Sequence, residues 1–233
     1  MVKAPRQASA SEPLTPDRLV DAALAVVDAK GWRGTSLGAV AAHLGVPVAR
    51  VGALAPTRSE LLRLVFRTVD QRMLAGVMAA DEMENHRDRL FDLVMRRLDV
   101  LAPYRRAVES LMRDAVFDPA VGLTVLAELR RSHGLTLEAA GISTRGLWGE
   151  MRVQGFGLVY ASVLRTWRDD ATPDLAPTMK ALDRALKQAE RAEHFACSLV
   201  PRSGRRNARD RDGTEKTVGD ETPGGSSPGG EPT

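Results

Sequence analysis

The sequence predicts an all-α protein with a small N-terminal three-helix head of the helix-turn-helix kind and a larger C-terminal helical bundle. Three observations carry this. Apolar residues recur at spacings of three and four from about residue 15 to residue 199, and β-branched runs with strict alternation are absent. Capping residues open the periodic segments and glycines close them. Near the start, two short segments are joined by the tight turn "GVP", which is helix-turn-helix spacing.

The elements follow in order. In "LTPDRLVDAALAVVDAKG", Thr15 is a good N-cap and Pro16 suits the first helical position. Leu19, Val20, Ala23, Leu24 and Val27 make one buried face, and Gly31 is expected to end the helix in the left-handed conformation. In "GTSLGAVAAHLG", Thr35 is expected to cap a second helix carrying Leu37, Val40, Ala41 and Leu44, closed by Gly45. A third segment begins near Pro47. Thr57 and Glu60 have capping-box spacing and start a long fourth helix through Leu64, Val65, Val69 and Met73.

Longer helices make up the remainder. "RDRLFDLVMRRLDVLAPY" sets Leu90, Phe91, Val94, Leu98 and Leu101 on one face until Pro103 breaks it. "YRRAVESLMRDAVFDP" stops near Asp118, and "PAVGLTVLAELRRSHGLTLEAAG" runs to Gly141 with two internal glycines. "STRGLWGEMRVQGFGLVYASVLRTWRDD" is the most apolar long segment. The last helix has Leu175, Met179, Leu182 and Leu186 in register. Residues 1–14 and 200–233 lack periodicity and read as a disordered arm and tail. The domains expected are therefore a head at residues 15–62 and a ligand-binding and dimerisation body at residues 63–199.

Composition narrows the function. Among 233 residues with a net charge of +3, charge alone does not mark a nucleic-acid binder. No run approaches the roughly 18 apolar residues that span a bilayer, the N-terminus lacks the apolar core of a secretory signal, and Cys197 is the single cysteine. These point to a cytoplasmic protein without integral membrane association. His43, His86, His133 and His194 are scattered, so no metal site, enzyme constellation or cofactor is expected. The glycines at 155 and 157 lack the flanking strand and Lys-Ser/Thr of a phosphate loop.

The ordered set "RLVDAALAVVDAKGWRGTSLGAVAAHLGVP...TRSELLRLV" resembles the TetR family of bacterial regulators over about residues 15 to 65. The matching positions are Ala22 and Ala23, Gly31 and Trp32, Thr35 and Ser36, Val40 and Ala41, Gly45 and Val46, then Arg58, Glu60 and Leu61. The resemblance implies an all-helical homodimer that binds double-stranded DNA and takes a ligand in its C-terminal core. Where the family commonly carries Leu-Tyr-x-His-Phe at the end of its reading helix, this chain has Val51, Gly52, Ala53, Leu54 and Ala55. The phosphate-binding tyrosine is thus Gly52. Arg58 and Thr35 remain for phosphate contacts, the latter through its hydroxyl and N–H. Arg50 is suited to pair with guanine, and Val48 and Ala49 to touch thymine methyl groups.

The stretches "MRRLDVLAPYRRAV" and "TRGLWGEMRVQGFGLVYASVLRTWRDDATPDLAPTMKALDRALKQAER" are similar to a branch of the same fold, the lipid-binding accessory proteins of ubiquinone (coenzyme Q) biosynthesis, which lack working DNA contacts. Two functions follow as expectations: a ligand-responsive transcriptional repressor, or a lipid- or isoprenoid-binding accessory protein. Leu90, Val94, Leu98, Leu111, Met112, Leu126 and Leu129 are the expected pocket for an apolar small-molecule or lipid effector. The TetR resemblance assigns Val159, Val163, Leu182 and Leu186 to the dimer interface.

Overall fold

A computed structural model describes residues 13–78 and 85–199. Its helices are α1 (Pro16–Lys30), α2 (Leu37–Leu44), α3 (Val48–Leu54), α4 (Arg58–Leu74), α5 (His86–Leu101), α6 (Arg105–Phe117), α7 (Pro119–Ala139), α8 (Gly146–Asp169) and α9 (Ala176–Leu199), with a 3-10 turn at Ala102–Tyr104. The chain forms two units, Met1–Glu190 and Arg191–Thr233. The packing described below lies within the first; of the second, the structure describes the end of α9. The expected tail, residues 1–12 of the expected arm, and the side chains of His194 and Cys197 lie outside the described residues. Leu14, expected in the arm, packs against the head core.

Local chemistry sets the helix ends. Thr15 Oγ1 accepts from the Arg18 N–H at 3.3 Å, with Pro16 in the first position. Gly31 has the positive φ expected, 72°, but its ψ of 166° is not left-handed helical. The turn is instead fitted to α6, where the next residue, Trp32, donates its N–H to Ser110 Oγ at 3.1 Å. Ser36, not Thr35, caps α2, accepting from the Ala39 N–H at 3.1 Å. Gly45 closes α2 in the left-handed region (φ 68°, ψ 31°), and the Val46 N–H reaches back to the Ala41 carbonyl. Thr57 accepts from the Glu60 N–H, but the Glu60 carboxylate pairs with Arg63, so half of the capping box forms. Asp118 caps α7, which runs unbroken through both of its glycines. Leu175 lies before α9 with φ 52° rather than in register within it.

Two apolar cores share α1 and α4. The head core joins Leu19, Ala22, Ala23 and Val26 of α1 to Val40 and Ala41 of α2, Val51 of α3 and Leu61 of α4. The body core takes Val20, Leu24 and Val27 from the other face of α1, then Leu62, Val65 and Val69 of α4. It continues through α5 and α8 to Trp167, Leu182 and Leu186. Adjacent residues thus serve different cores: Leu19 and Leu61 the head, Val20 and Leu62 the body. Each fully buried leucine or valine is worth roughly 1.5–3 kcal/mol, so both helices are fixed on two sides. No single helix among the described residues is long and apolar enough to cross a membrane.

Candidate nucleic-acid interface and the body behind it

The axes of α2 and α3 are bent by 115° at the Gly45–Pro47 turn, within the usual helix-turn-helix geometry. Val51 anchors α3 in the head core. Its other side exposes Val48, Ala49, Ala53 and Leu54, while Arg50 and Gly52 are half-buried. A helix bearing such small side chains fits closely into a major groove about 12 Å wide, where apolar groups meet thymine methyls and an arginine can pair with guanine. The head therefore presents Val48, Ala49 and Arg50 together on the helix expected to carry them.

Two expected phosphate ligands are placed elsewhere. Thr35 is buried, its hydroxyl donates to the Gly31 carbonyl at 2.9 Å, and its N–H donates to the Trp32 carbonyl at 3.0 Å. Neither group is available to a phosphate. Arg58 donates through Nη2 to the Trp32 carbonyl at 2.7 Å, with its guanidinium 5.1 Å from the Trp32 ring centre. It braces the turn between α1 and α2. Exposed Ser36 is the phosphate candidate at the same helix start: its Oγ takes the Ala39 N–H, and the Leu37 and Gly38 N–H groups have no intrahelical acceptors. In the pair Thr35-Ser36 both residues are good caps; only the inward direction of Thr35 separates them, and that depends on packing.

The turn is also latched to α6. Besides the Trp32–Ser110 bond, the Arg33 N–H donates to Asp114 Oδ2 at 3.2 Å and the Arg33 side chain pairs with the same carboxylate at 3.4 Å. On α4, Arg72 holds Asp17 and Asp21 of α1 at 2.9 and 2.8 Å. Tyr104 donates to Asp21 at 2.8 Å.

The expected pocket residues do not all face the body interior. Leu90, Val94 and Leu98 are packed in the body core, and Leu111 and Leu129 lie half-buried against it. Met112 and Leu126 face solvent, 42% and 64% exposed. Their amphipathic positions on α6 and α7 place them on the outer side of helices whose inner side is already filled.

Behind these leucines lies a buried polar network that the sequence reading missed. Arg97 of α5 donates through Nη1 to Asp70 of α4 at 2.5 Å and to Ser132 of α7 at 2.6 Å, and through Nε to Tyr160 of α8 at 3.2 Å. Arg131 reaches the other Asp70 oxygen at 2.6 Å. Burial opposes the Arg97 charge, yet Tyr160 and Asp70 hold its pKa above the ordinary arginine value. Next to this network, the His133 ring lies 5.2 Å from Phe156 and 5.3 Å from Tyr160. Burial, with help from the Arg97 charge, pushes its pKa down to about 4, and its Nε2 has no hydrogen-bond partner. One signal was available: Arg97 sits three residues after Val94 and four before Leu101, on the apolar stripe itself. Among the described residues no group of His, Cys, Asp and Glu is gathered to hold a metal.

The expected dimer residues also point inward. Val163, Leu182 and Leu186 are buried in the protomer's own core, and Val159 is half-buried against it. They close α8 and α9 onto the body. The outward face of α8 carries a different apolar row, Leu147, Met151 and Leu158, exposed by 78%, 53% and 76%.

No protein-family model matches the chain, and no curated protein matches its sequence. Solved structures do match in shape. A TetR transcriptional regulator from Nitrosomonas europaea is 22% identical with a TM-score of 0.61, over 75% of this chain and 97% of that one. A TetR transcriptional regulator from a Rhodococcus species is 16% identical with a TM-score of 0.54, over 74% of this chain and 93% of that one. A second Rhodococcus transcriptional regulator is 22% identical with a TM-score of 0.50, over 77% and 97%. The chain is an all-α protein with a helix-turn-helix head. Its fold is that of the TetR transcriptional regulators.

Proposed function

We propose that this chain is a DNA-binding transcriptional regulator of the TetR type, acting in the cytoplasm as a homodimeric, effector-responsive repressor. The observation that carries this is the α2–α3 pair: bent by 115° on its own core, it exposes Val48 and Ala49 beside Arg50 on α3. In this reading α3 enters the major groove, Arg50 pairs with a guanine, and the start of α2 at Ser36 grips a phosphate in place of Thr35 and Arg58. Paired heads double this sparse readout. The dimer forms through the outward row of α8, Leu147, Met151 and Leu158, rather than through the buried Val163, Leu182 and Leu186. Because α1 and α4 belong to both cores, a shift of α4 in the body moves the head. An effector drives that shift only if it binds the two arrangements unequally.

A mobility-shift assay on the region upstream of the chain's own gene tests this reading. Retarded complexes that resist unrelated competitor DNA, and whose sequence preference weakens in Arg50→Ala, are expected. Equal retardation of any duplex, or none, contradicts it.

A further inference from the structure

We propose that the cleft between α7 and α8 binds the carboxylate of a small organic acid through Arg130 and Arg131, and that occupancy reaches the head along a ladder of charges between α4 and α7. This names an effector class for the body and rests on the regulatory reading above.

The cleft is open to solvent and has a volume of about 360 Å³. Leu135 and Val153 give it an apolar side, and two consecutive arginines stand in its wall. Arg130 turns Nε and Nη2 to Glu150; Arg131 turns Nε to Glu128 and Nη2 to Asp70. The Nη1 group of each arginine has no partner among the described residues. Two neighbouring guanidiniums with unused donors suit a carboxylate, which only accepts. Of the cleft carboxylates, Glu150 is paired with Arg130 and accepts from Gln154, and Glu138 accepts from the Thr144 hydroxyl.

The ladder alternates in sign from the head into the core. Glu60, in the first turn of α4, pairs with Arg63 at 2.5 Å, and Arg63 lies 3.8 Å from Glu128 of α7. Glu128 takes Arg131 at 2.8 Å, Arg131 takes Asp70 of α4 at 2.6 Å, and Asp70 takes Arg97 at 2.5 Å. Of the Asp70–Arg131–Glu128 rungs, Arg131 alone is open, its side chain 38% exposed against 2% for Asp70 and 9% for Glu128. A carboxylate on Arg131 competes with two buried carboxylates for one guanidinium. Their grip weakens, and α4 loosens on α7. The head core, which includes Leu61 of α4, is moved with it.

The full chain is titrated with sodium benzoate by calorimetry, against sodium chloride and sodium phosphate at equal ionic strength, with hydrogen exchange followed over α4. Saturable benzoate binding is expected, at least tenfold weaker in Arg130→Gln, a change that leaves the ladder intact. Exchange over α4 is expected to speed up on binding. Arg131→Gln is expected to show the fast exchange without benzoate; should it fail to fold, the Arg130→Gln comparison still decides the site. No saturable binding beyond the chloride control, unchanged affinity in Arg130→Gln, or binding of phosphate but not benzoate overturns the proposed site. Unaltered α4 exchange at saturation overturns the ladder. None of these readouts uses DNA, so their failure leaves the DNA-binding reading standing, and benzoate binding by a protein without DNA affinity sinks that reading alone.

Discussion

Asp70 and Arg97 each lie in the body interior and pair there, with Arg131 on the other Asp70 oxygen. Truncating one strands its partner: Asp70→Ala is expected to cost about 3–5 kcal/mol in urea unfolding. The apolar pair Asp70→Leu with Arg97→Met is expected to lose much less than the sum of the single changes. Equal and additive losses would show that the two residues act separately. His133 supplies a pH signature. It stays neutral in the fold down to pH about 4, while an unfolded histidine takes its proton near 6.5. Between these values the unfolded chain holds the extra proton. The stability is therefore complete above pH 6.5 and declines as pH falls toward 4, by at most about 3 kcal/mol. Urea midpoints measured across that window should flatten in His133→Leu. They should also be no lower at pH 7, since an unpartnered buried nitrogen is removed. The network was half legible in sequence: Arg97 interrupts an apolar stripe, but the α4 and α7 residues that meet it are brought there only by the fold.

The helices themselves were the legible layer. Periodicity located each of them, and the errors lie in direction and at helix ends, where Ser36 rather than Thr35 caps α2 and Leu175 precedes α9. Thr35 and Ser36 are neighbours in the non-helical segment ahead of α2, where Ser36 is extended and exposed and Thr35 is buried, enough to turn a phosphate ligand into a buried brace. In α8 both sides are apolar: Phe156, Tyr160, Val163 and Trp167 inward, Leu147, Met151 and Leu158 outward. Spacing alone does not say which row meets the partner helices of the same protomer. The reading helix gives an element-scale prediction. A Cβ placed on Gly52 meets nothing within 4 Å and its φ is not positive. Gly52→Ala is therefore expected to stabilise the head by roughly 0.5–1 kcal/mol, read from urea unfolding. A loss instead would mean that α3 is not helical at that point.

At the scale of the molecule, the TetR resemblance over residues 15 to 65 anticipated a fold that shape comparison supports across three-quarters of the chain. What it did not convey is the buried salt-bridge network of Asp70, Arg97 and Arg131 in the body interior. Assembly is open to a direct check. Met151→Glu and Leu158→Glu together should yield monomers by sedimentation equilibrium with the helical content of the parent. Val163→Ala should leave the assembly state unchanged while lowering stability by a few kcal/mol, about the cost of a core truncation. Monomers from Val163→Ala, with no effect of the α8 changes, would return the seam to the buried row. The central claim is that α3 reads duplex DNA, and fluorescence anisotropy on the upstream region across a range of salt concentrations tests it most directly. At least roughly tenfold tighter binding than to an unrelated duplex, with affinity falling linearly in log salt, is the result expected. Equal affinity for both duplexes, or no binding at low salt, would contradict it.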